Sequence, residues 1–138
     1  MAGRKSDFDF ARARQVAQSV MNDVGAVMHG MLSYIGDRVG LFKAMMDAGP
    51  LTVDQVAART GLSARYVREW LGAMAAAAYV EYDAGAQTYL LTPEYAAALA
   101  DEDSPFFIGS YFQMAQADRK STRLNSSHRT VSRMPSSA

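Results

Sequence analysis

The pattern of apolar and polar residues is clearest over residues 51–71, where it predicts two short helices joined by a tight turn. Thr52 and Gln55 have the spacing of a capping box at the start of the first helix, and Gly61 can adopt the left-handed conformation that ends it. Ser63 is placed to cap the second helix. The buried side of that helix is predicted from residues that recur at intervals of three and four: Val67, Trp70, Leu71 and Met74. This arrangement is typical of a helix-turn-helix.

A long apolar stripe precedes this unit and predicts an N-terminal helix that starts at Asp7 or Asp9. Gly25 and Gly30 each cost the helix about 1 kcal/mol relative to Ala, so contacts outside the helix must hold it. One interpretation is core packing within a single domain. The other is packing against a second subunit, which would suit the adaptable methionines. The stripe is wider than a lone surface helix needs: Val16, Ala17, Val20, Met21, Val24, Val27, Met28, Met31, Leu32 and Ile35.

A short helix is predicted between the long helix and the helix-turn-helix. Its apolar positions lie within residues 39–46, and Asp37 is placed to cap or punctuate its start. Gly49 and Pro50 end it, because glycine permits the turn and proline cannot continue a helix.

The segment after the helix-turn-helix predicts a β-hairpin. Residues 79–82 and 87–91 alternate in the manner of strands, and residues 83–86 form the turn. Thr92 and Pro93 then start a further helix, and the aromatic run after Pro105 predicts one more. The fold class is therefore mainly α: a winged helix-turn-helix with a long N-terminal helix and a two-stranded β-hairpin wing.

Composition narrows the class of protein without changing this architecture. The 138 residues are enough for one domain, and the absence of cysteine excludes a disulfide framework and a thiolate metal site. The N-terminal residues lack an apolar leader, and no run approaches the ~18 apolar residues of a membrane span. We expect a cytoplasmic protein without a membrane partner.

The zero net charge conceals two regions of opposite charge. Residues 1–116 carry 9 basic and 13 acidic residues, a net charge of −4, and residues 117–138 carry 5 basic residues and 1 acidic residue, a net charge of +4. We divide the chain into a disordered N-terminus (1–7), a winged-helix domain (8–116) whose N-terminal helices are candidates for dimerisation, and a disordered tail (117–138).

The basic tail has several interpretations. It is rich in serine and has no apolar period, so it cannot bury enough surface to offset the entropy of ordering. It could be a basic arm for nucleic acid or phosphorylation. We interpret it instead as non-native, because KSTRLNSSH resembles a tail found on unrelated translations of adaptor or vector sequence.

DNA binding is the usual function of a helix-turn-helix, and Arg65 and Arg68 are the candidate contacts on the second helix. Further along the same face lie residues that cannot read bases, such as Gly72 and Ala76. The predicted wing tip has an acid and no base. Since phosphate contacts need positive partners, an acidic domain with such a wing is not expected to bind nucleic acid.

Other chemistry finds little support in the sequence. No pair of glycines has the G-x-G spacing of a nucleotide-binding loop, and Gly36 and Gly40 come nearest. His29 lies beside the apolar stripe and His128 lies in the tail, so a metal site is not expected. Residues 101–103 are acidic, as solvated loops commonly are. We assign no catalytic, cofactor-binding or metal-binding residue.

Three stretches together resemble the N-terminal domain of a bacterial methyltransferase family: GDRVGLFKAM, GPLTVDQVAARTGLSARYVREWL, and AAYVEYD with TYLLTPEYAAALADEDSPFF. The family consists of class I enzymes that depend on S-adenosylmethionine, and the resemblance covers residues 8–116. It implies that this domain dimerises and helps to cover a substrate pocket. It also implies a following Rossmann-like domain that binds S-adenosylmethionine and a small-molecule methyl acceptor.

The resemblance therefore predicts a homodimeric, truncated methyltransferase that lacks its catalytic domain and is not active alone. Phe42, Tyr111 and Phe112 could line the substrate pocket, although core packing is the alternative for each. A winged-helix transcriptional regulator is the alternative function, with Arg65 and Arg68 as its nucleic-acid contacts. A stand-alone interaction module is a third.

Overall fold

A computed structural model describes residues 8–114. The order of elements is α1 (Phe10–Arg38), α2 (Leu41–Met45), α3 (Val53–Thr60), α4 (Ala64–Ala76), β1 (Glu81–Asp83), β2 (Thr88–Leu90) and α5 (Pro93–Leu99). A further helical segment begins at residue 109 and is described as far as residue 114. The predicted fold class, a mainly α winged helix-turn-helix, is confirmed. The disorder predicted for residues 1–7 and for the tail, with His128, lies outside the described residues.

The helix-turn-helix forms as its sequence predicts. Thr52 Oγ1 accepts a hydrogen bond from the Gln55 backbone N–H, and the Gln55 side chain accepts one from the Thr52 N–H. Gly61 ends α3 with φ of 70°. Ser63 occupies the N-cap position of α4, but its side chain makes no capping hydrogen bond.

The core lies where α2, α3, α4 and α5 meet the wing. The four predicted inward residues of α4 are all buried, and Phe42 and Met45 of α2 pack beside them. The rings of Phe42 and Trp70 meet edge to face with centroids 4.9 Å apart. A core of this kind provides most of the stability of a small domain, because its apolar side chains leave water.

The wing is a short antiparallel hairpin. Tyr82 faces Tyr89 across the two strands, and Leu51 adds a single bridge to Tyr89 on the far side of β2. Strand β1 starts two residues later than the alternating pattern predicts, because Tyr79 and Val80 instead donate backbone hydrogen bonds to the Met74 carbonyl at the end of α4. Strand β2 is one residue shorter at each end than the predicted range of 87–91.

The start of α2 differs from the prediction. Asp37 lies inside α1, which continues to Arg38, and it does not cap α2. Gly40, with φ of 77°, occupies the N-cap position instead. A left-handed residue reverses the chain here between two helices, and glycine adopts this conformation without steric cost.

Helix α1 joins the domain only through its C-terminal third. Its buried residues are Ser33 and Gly36, and Leu32 packs partly against the core. Asp9 caps its start by accepting hydrogen bonds from the Ala11 and Arg12 N–H groups. The helix is 29 residues long, about 43 Å at 1.5 Å per residue.

Candidate functional site

The most distinctive surface of the described chain is an apolar face on α1. We define the α1 apolar face as six residues whose side chains are 40–64% exposed: Val16, Val20, Val24, Val27, Met31 and Ile35. At 100° per residue they span an arc of about 100°, and Met21 and Met28 widen it to about 140°. An apolar surface that runs along one side of a helix in this way is a candidate interaction surface. Of the residues in the predicted stripe, only Leu32 packs against the core. Core packing, one of the two interpretations, therefore does not describe the rest of the stripe.

The N-terminal part of α1 extends away from the core. Over residues 10–28 every residue is exposed except Ala13 and Gly25, which are half-buried. An isolated helix of this length is marginally stable in water, and the glycines at 25 and 30 weaken it further. Contacts outside the helix must therefore stabilise the N-terminal part of α1, and residues 8–114 of its own chain do not supply them.

The sequence pattern did not identify two further exposed apolar groups. Phe8 and Phe10 are 65% and 78% exposed at the start of α1, where their rings meet edge to face at 4.9 Å. At the other end of the domain, Ile108, Tyr111 and Met114 are 47%, 66% and 66% exposed on successive turns. We call these three residues the C-terminal patch. Their aromatic content was visible in the sequence, but periodicity over so few residues does not separate exposed from buried positions.

The outward face of α4 carries the two predicted arginines. Arg65 and Arg68 are both exposed, one turn apart, and Tyr66 between them is 72% exposed. The wing tip places no base beside them. Asp83 turns its carboxylate into the hairpin, where it accepts hydrogen bonds from the Gly85 and Ala86 N–H groups at 2.8 and 3.1 Å.

A cleft of about 460 Å³ separates the wing from α3 and α4. Its charged residues are Arg68 and Asp54, which carry opposite charges, and Tyr82 and Gln87 reach it from the wing. Arg65 does not line it. The cleft therefore does not join the two arginines into one anion-binding surface, and it holds neither a histidine nor a pair of carboxylates for acid–base chemistry.

Other polar groups have structural roles. Lys43 and Glu102 form an exposed ion pair at 2.6 Å, and the hydrogen bond to Glu102 together with its charge raises the pKa of Lys43 above the ordinary value of 10.5. His29 lies half-buried with its ring 6.3 Å from that of Tyr79. Within residues 8–114, no three His, Cys, Asp or Glu side chains are grouped as metal ligands would be.

The three candidates for a substrate pocket are not brought together. Phe42 is 1% exposed in the core, and Phe112 packs partly against that core, so core packing describes both. Tyr111 is exposed and belongs to the C-terminal patch. The residues do not enclose a common cavity.

Comparison with solved structures shows where else this fold occurs. The protein solved as "PigF with SAH" is 21% identical, with a TM-score of 0.61, and the match covers 78% of this chain and 33% of that one. The mitomycin 7-O-methyltransferase MmcR is 21% identical, with a TM-score of 0.64 over 87% of this chain and 36% of that one. Human N-acetylserotonin methyltransferase, solved with SAM, is 20% identical, with a TM-score of 0.64 over 92% of this chain and 36% of that one. The chain thus spans about a third of the length of these proteins.

Comparison with curated proteins and with family models bears on the chain's own classification. No curated protein matches it. Among the described residues, no helix is long and apolar enough to cross a membrane. The family model described as the Rv2258c-like winged HTH domain matches residues 26–101, more than half of the chain. This stretch contains the capped helix-turn-helix, the wing and the docked end of α1, and the chain belongs to the Rv2258c-like winged HTH domain family.

Proposed function

We propose that this chain is the N-terminal dimerisation and substrate-covering domain of an S-adenosylmethionine-dependent methyltransferase. In this proposal the working protein is a homodimer, and a Rossmann-like domain outside this sequence binds S-adenosylmethionine and a small-molecule methyl acceptor. The 138 residues are then a fragment that does not methylate a substrate alone, and residues 117–138 are not native to the enzyme.

The exposed α1 apolar face is the observation that carries the proposal. A monomer would leave these side chains in water, at a cost of about 25 cal/mol for each Å² of apolar surface that could be buried. The wing and α4 offer no surface of comparable apolar character. Assembly is therefore the function that the geometry of residues 8–114 supports best.

The link to methyltransferases is supported by the solved proteins that share the fold. CalO1, a methyltransferase in calicheamicin biosynthesis solved with SAH, is 26% identical, with a TM-score of 0.53 over 72% of this chain and 28% of that one. The chain covers only 28–36% of such proteins, which leaves room for a separate catalytic domain.

The described residues do not fit S-adenosylmethionine themselves. Nucleotide-type donors are held at a glycine-rich turn after a strand of a parallel sheet. The only strands in residues 8–114 are β1 and β2, which are three residues each and antiparallel. No catalytic step is assigned to this chain.

Two experiments test the proposal. The encoding DNA, read beyond codon 117, should continue into a strand and a glycine-rich loop. A verified stop codon after Ala138 in the native gene would contradict the methyltransferase assignment and favour a stand-alone interaction module.

Sedimentation of the 138-residue chain should give a dimer at micromolar concentration, and a monomer would contradict the assembly function.

A winged-helix regulator is the second candidate, because Arg65 and Arg68 are exposed together on α4. The acidic charge of residues 1–116 and the base-free wing disfavour it. Binding to duplex DNA at low salt that is lost on Arg65→Ala with Arg68→Ala would favour the regulator.

A further inference from the structure

The two edges of the α1 apolar face differ in chemistry. At 100° per residue, Met21 and Met28 lie about 70–90° to one side of the centre of the face. Ser19, Asp23 and Gly30 lie about 70–110° to the other side. The two methionines are 62% and 52% exposed, so one edge is apolar and unpaired. The other edge is polar or lacks a side chain.

This difference decides the direction in which two copies of the face pack. In an antiparallel pair the two-fold axis crosses both helices, and each edge lies beside the same edge of the other copy. In a parallel pair the axis runs along the helices, and each edge lies beside the opposite one. Parallel packing would therefore press the methionines against Asp23 and take its carboxylate out of water without a partner, which is costly. Antiparallel packing brings the methionine edges together.

The spacing of the face sets the register of such a pair. From Val16 to Ile35 the intervals are four, four, three, four and four residues, which read the same from either end. With the midpoint between residues 25 and 26, Val16 lies level with the second copy's Ile35. Met21 then lies within two residues of the height of the second copy's Met28, on the same edge.

The same register supports the part of α1 that its own domain leaves uncovered. Residues 10–28 project from the core, whereas the end of the helix is anchored at the buried Ser33 and Gly36. In the antiparallel register, residues 13–22 of each copy lie level with residues 29–38 of the other. Each projecting segment thus packs along an anchored one, while a parallel pair would place the two projecting segments on each other.

The charges of the described residues favour the same direction. Residues 8–22 contain two basic residues and one acidic residue, a net charge of +1. Residues 23–114 contain 5 basic and 11 acidic residues, a net charge of −6. Antiparallel packing places the basic segment of each copy beside the acidic part of the other, and parallel packing would place like charges together.

We propose that the homodimer is an antiparallel pair of α1 helices centred between residues 25 and 26, in which Met21 of each copy packs on Met28 of the other. This inference rests on the proposed dimerisation and adds its direction, its register and the contact at one edge. The edge contact occurs twice, once on each side of the midpoint.

The area of the face is sufficient for a specific dimer. The six residues of the face with Met21 and Met28 make eight exposed apolar side chains in each copy. At on the order of 75 Å² each, they would bury on the order of 1,200 Å² in total, at the lower end of the range for stable interfaces.

The absence of cysteine from the chain makes thiol cross-linking a clean test of direction and register. In the proposed pair, residue 16 lies about 28 Å along the axis from residue 16 of the other copy, and the same holds for residue 35. A short bismaleimide should therefore cross-link neither Val16→Cys nor Ile35→Cys alone. A mixture of the two variants should give a covalent dimer. Gln18→Cys mixed with Ile35→Cys is the matched control, because Gln18 is exposed on the far side of α1.

The outcomes separate this inference from dimerisation itself. A dimer by sedimentation whose mixed variants do not cross-link overturns the register and leaves dimerisation intact. Cross-linking of Val16→Cys alone indicates parallel helices and also overturns the inference. A monomer overturns both proposals.

A charge pair tests the edge contact. Met21→Lys and Met28→Glu should each raise the dissociation constant of the dimer at least tenfold, because each places a charge against a methionine. The variant with both changes should recover most of the affinity, since opposite charges then lie beside each other across the edge. Positions seven apart on one helix are not neighbours, so this recovery cannot arise within a single copy. Additive losses would overturn the contact.

Discussion

Trp70 lies against Gly36 so closely that a methyl group on that glycine would be 2.3 Å from the Trp70 Cζ2 atom. The Trp70 indole N–H also donates a hydrogen bond of 2.9 Å to the Leu32 carbonyl, one turn earlier on α1. This one side chain of α4 thus holds the long helix to the domain, by close packing and by a directional bond.

Gly36→Ala should destabilise the domain. The added methyl group would force Trp70 out of its position, and overpacking of this kind lowers the free energy of unfolding by about 1–3 kcal/mol. Gly72→Ala on α4 is the control, since a methyl group there meets nothing within 4 Å. It should raise the free energy of unfolding by up to about 1 kcal/mol. Urea unfolding followed by circular dichroism measures both, and equal effects would contradict the packing role.

Replacing Val24 and Val27 by Gln should convert the dimer to a monomer. These residues lie at the centre of the α1 apolar face and are 51% and 64% exposed, so the change leaves the core intact. We expect the dissociation constant to rise at least a hundredfold, about 2.7 kcal/mol. Ala58→Gln, at an exposed position of α3, is the control. Sedimentation equilibrium of both variants is the measurement, and an undiminished dimer would exclude this face as the interface.

Thr52→Ala should lower the free energy of unfolding by about 1 kcal/mol. The Thr52 hydroxyl accepts a hydrogen bond from the Gln55 N–H, and the bond from the Thr52 N–H to the Gln55 side chain depends on the same geometry. Ser63→Ala should cost less, since the Ser63 side chain makes no capping hydrogen bond. Thermal and urea unfolding of the two variants compare the caps directly. A larger loss for Ser63→Ala would show that the cap of α4 is the important one.

The chain should not bind random duplex DNA, even at about 50 mM salt, where phosphate contacts are strongest. Fluorescence anisotropy with a labelled duplex measures this. If binding appears, its loss in the variant with Arg65→Ala and Arg68→Ala would establish the regulator alternative. Arg59→Ala is the matched control, because Arg59 donates a hydrogen bond to the Ala44 carbonyl.

The Lys43–Glu102 pair should contribute to stability below about pH 10 and lose that contribution in more alkaline solution. The folded-state pKa of Lys43 is raised by Glu102, so its charged form is favoured on folding. Stability gained this way is fully present below the unfolded pKa and disappears as pH rises through the folded one. The difference in stability between wild type and Lys43→Gln should therefore shrink between pH 9 and 12. Both partners are exposed, so the difference should be small and should decrease with salt.

The fold was predictable from sequence wherever short-range signals agreed. The caps at Thr52 and Gly61 and the stripe of Val67 and Trp70 predicted the helix-turn-helix, because capping and helical periodicity act within a few residues. The wing was predicted with its first strand displaced by two residues, since Tyr79 and Val80 donate backbone hydrogen bonds to the end of α4. The prediction that Asp37 marks the start of α2 was wrong, because aspartate suits a helix start and also a polar position inside a helix.

The candidate site was predictable only in part. The outward positions of Arg65 and Arg68 followed from their place on α4, and the breadth of the apolar stripe suggested a partner for α1. The C-terminal patch was not recognised, because exposure of Tyr111 depends on how residues 109–114 dock beside Asp37.

The sequence by itself determined the capped helices, the turns, the hairpin and the apolar side of each helix, since these depend on neighbours within one or two turns. Only the tertiary structure decided which part of the α1 stripe is covered. Leu32 and Val24 look alike in the pattern, but Trp70 docks on α1 beside Leu32. It can do so because Gly36 has no side chain that would keep the indole ring away. Periodicity shows that a face is apolar, and long-range packing decides what covers it.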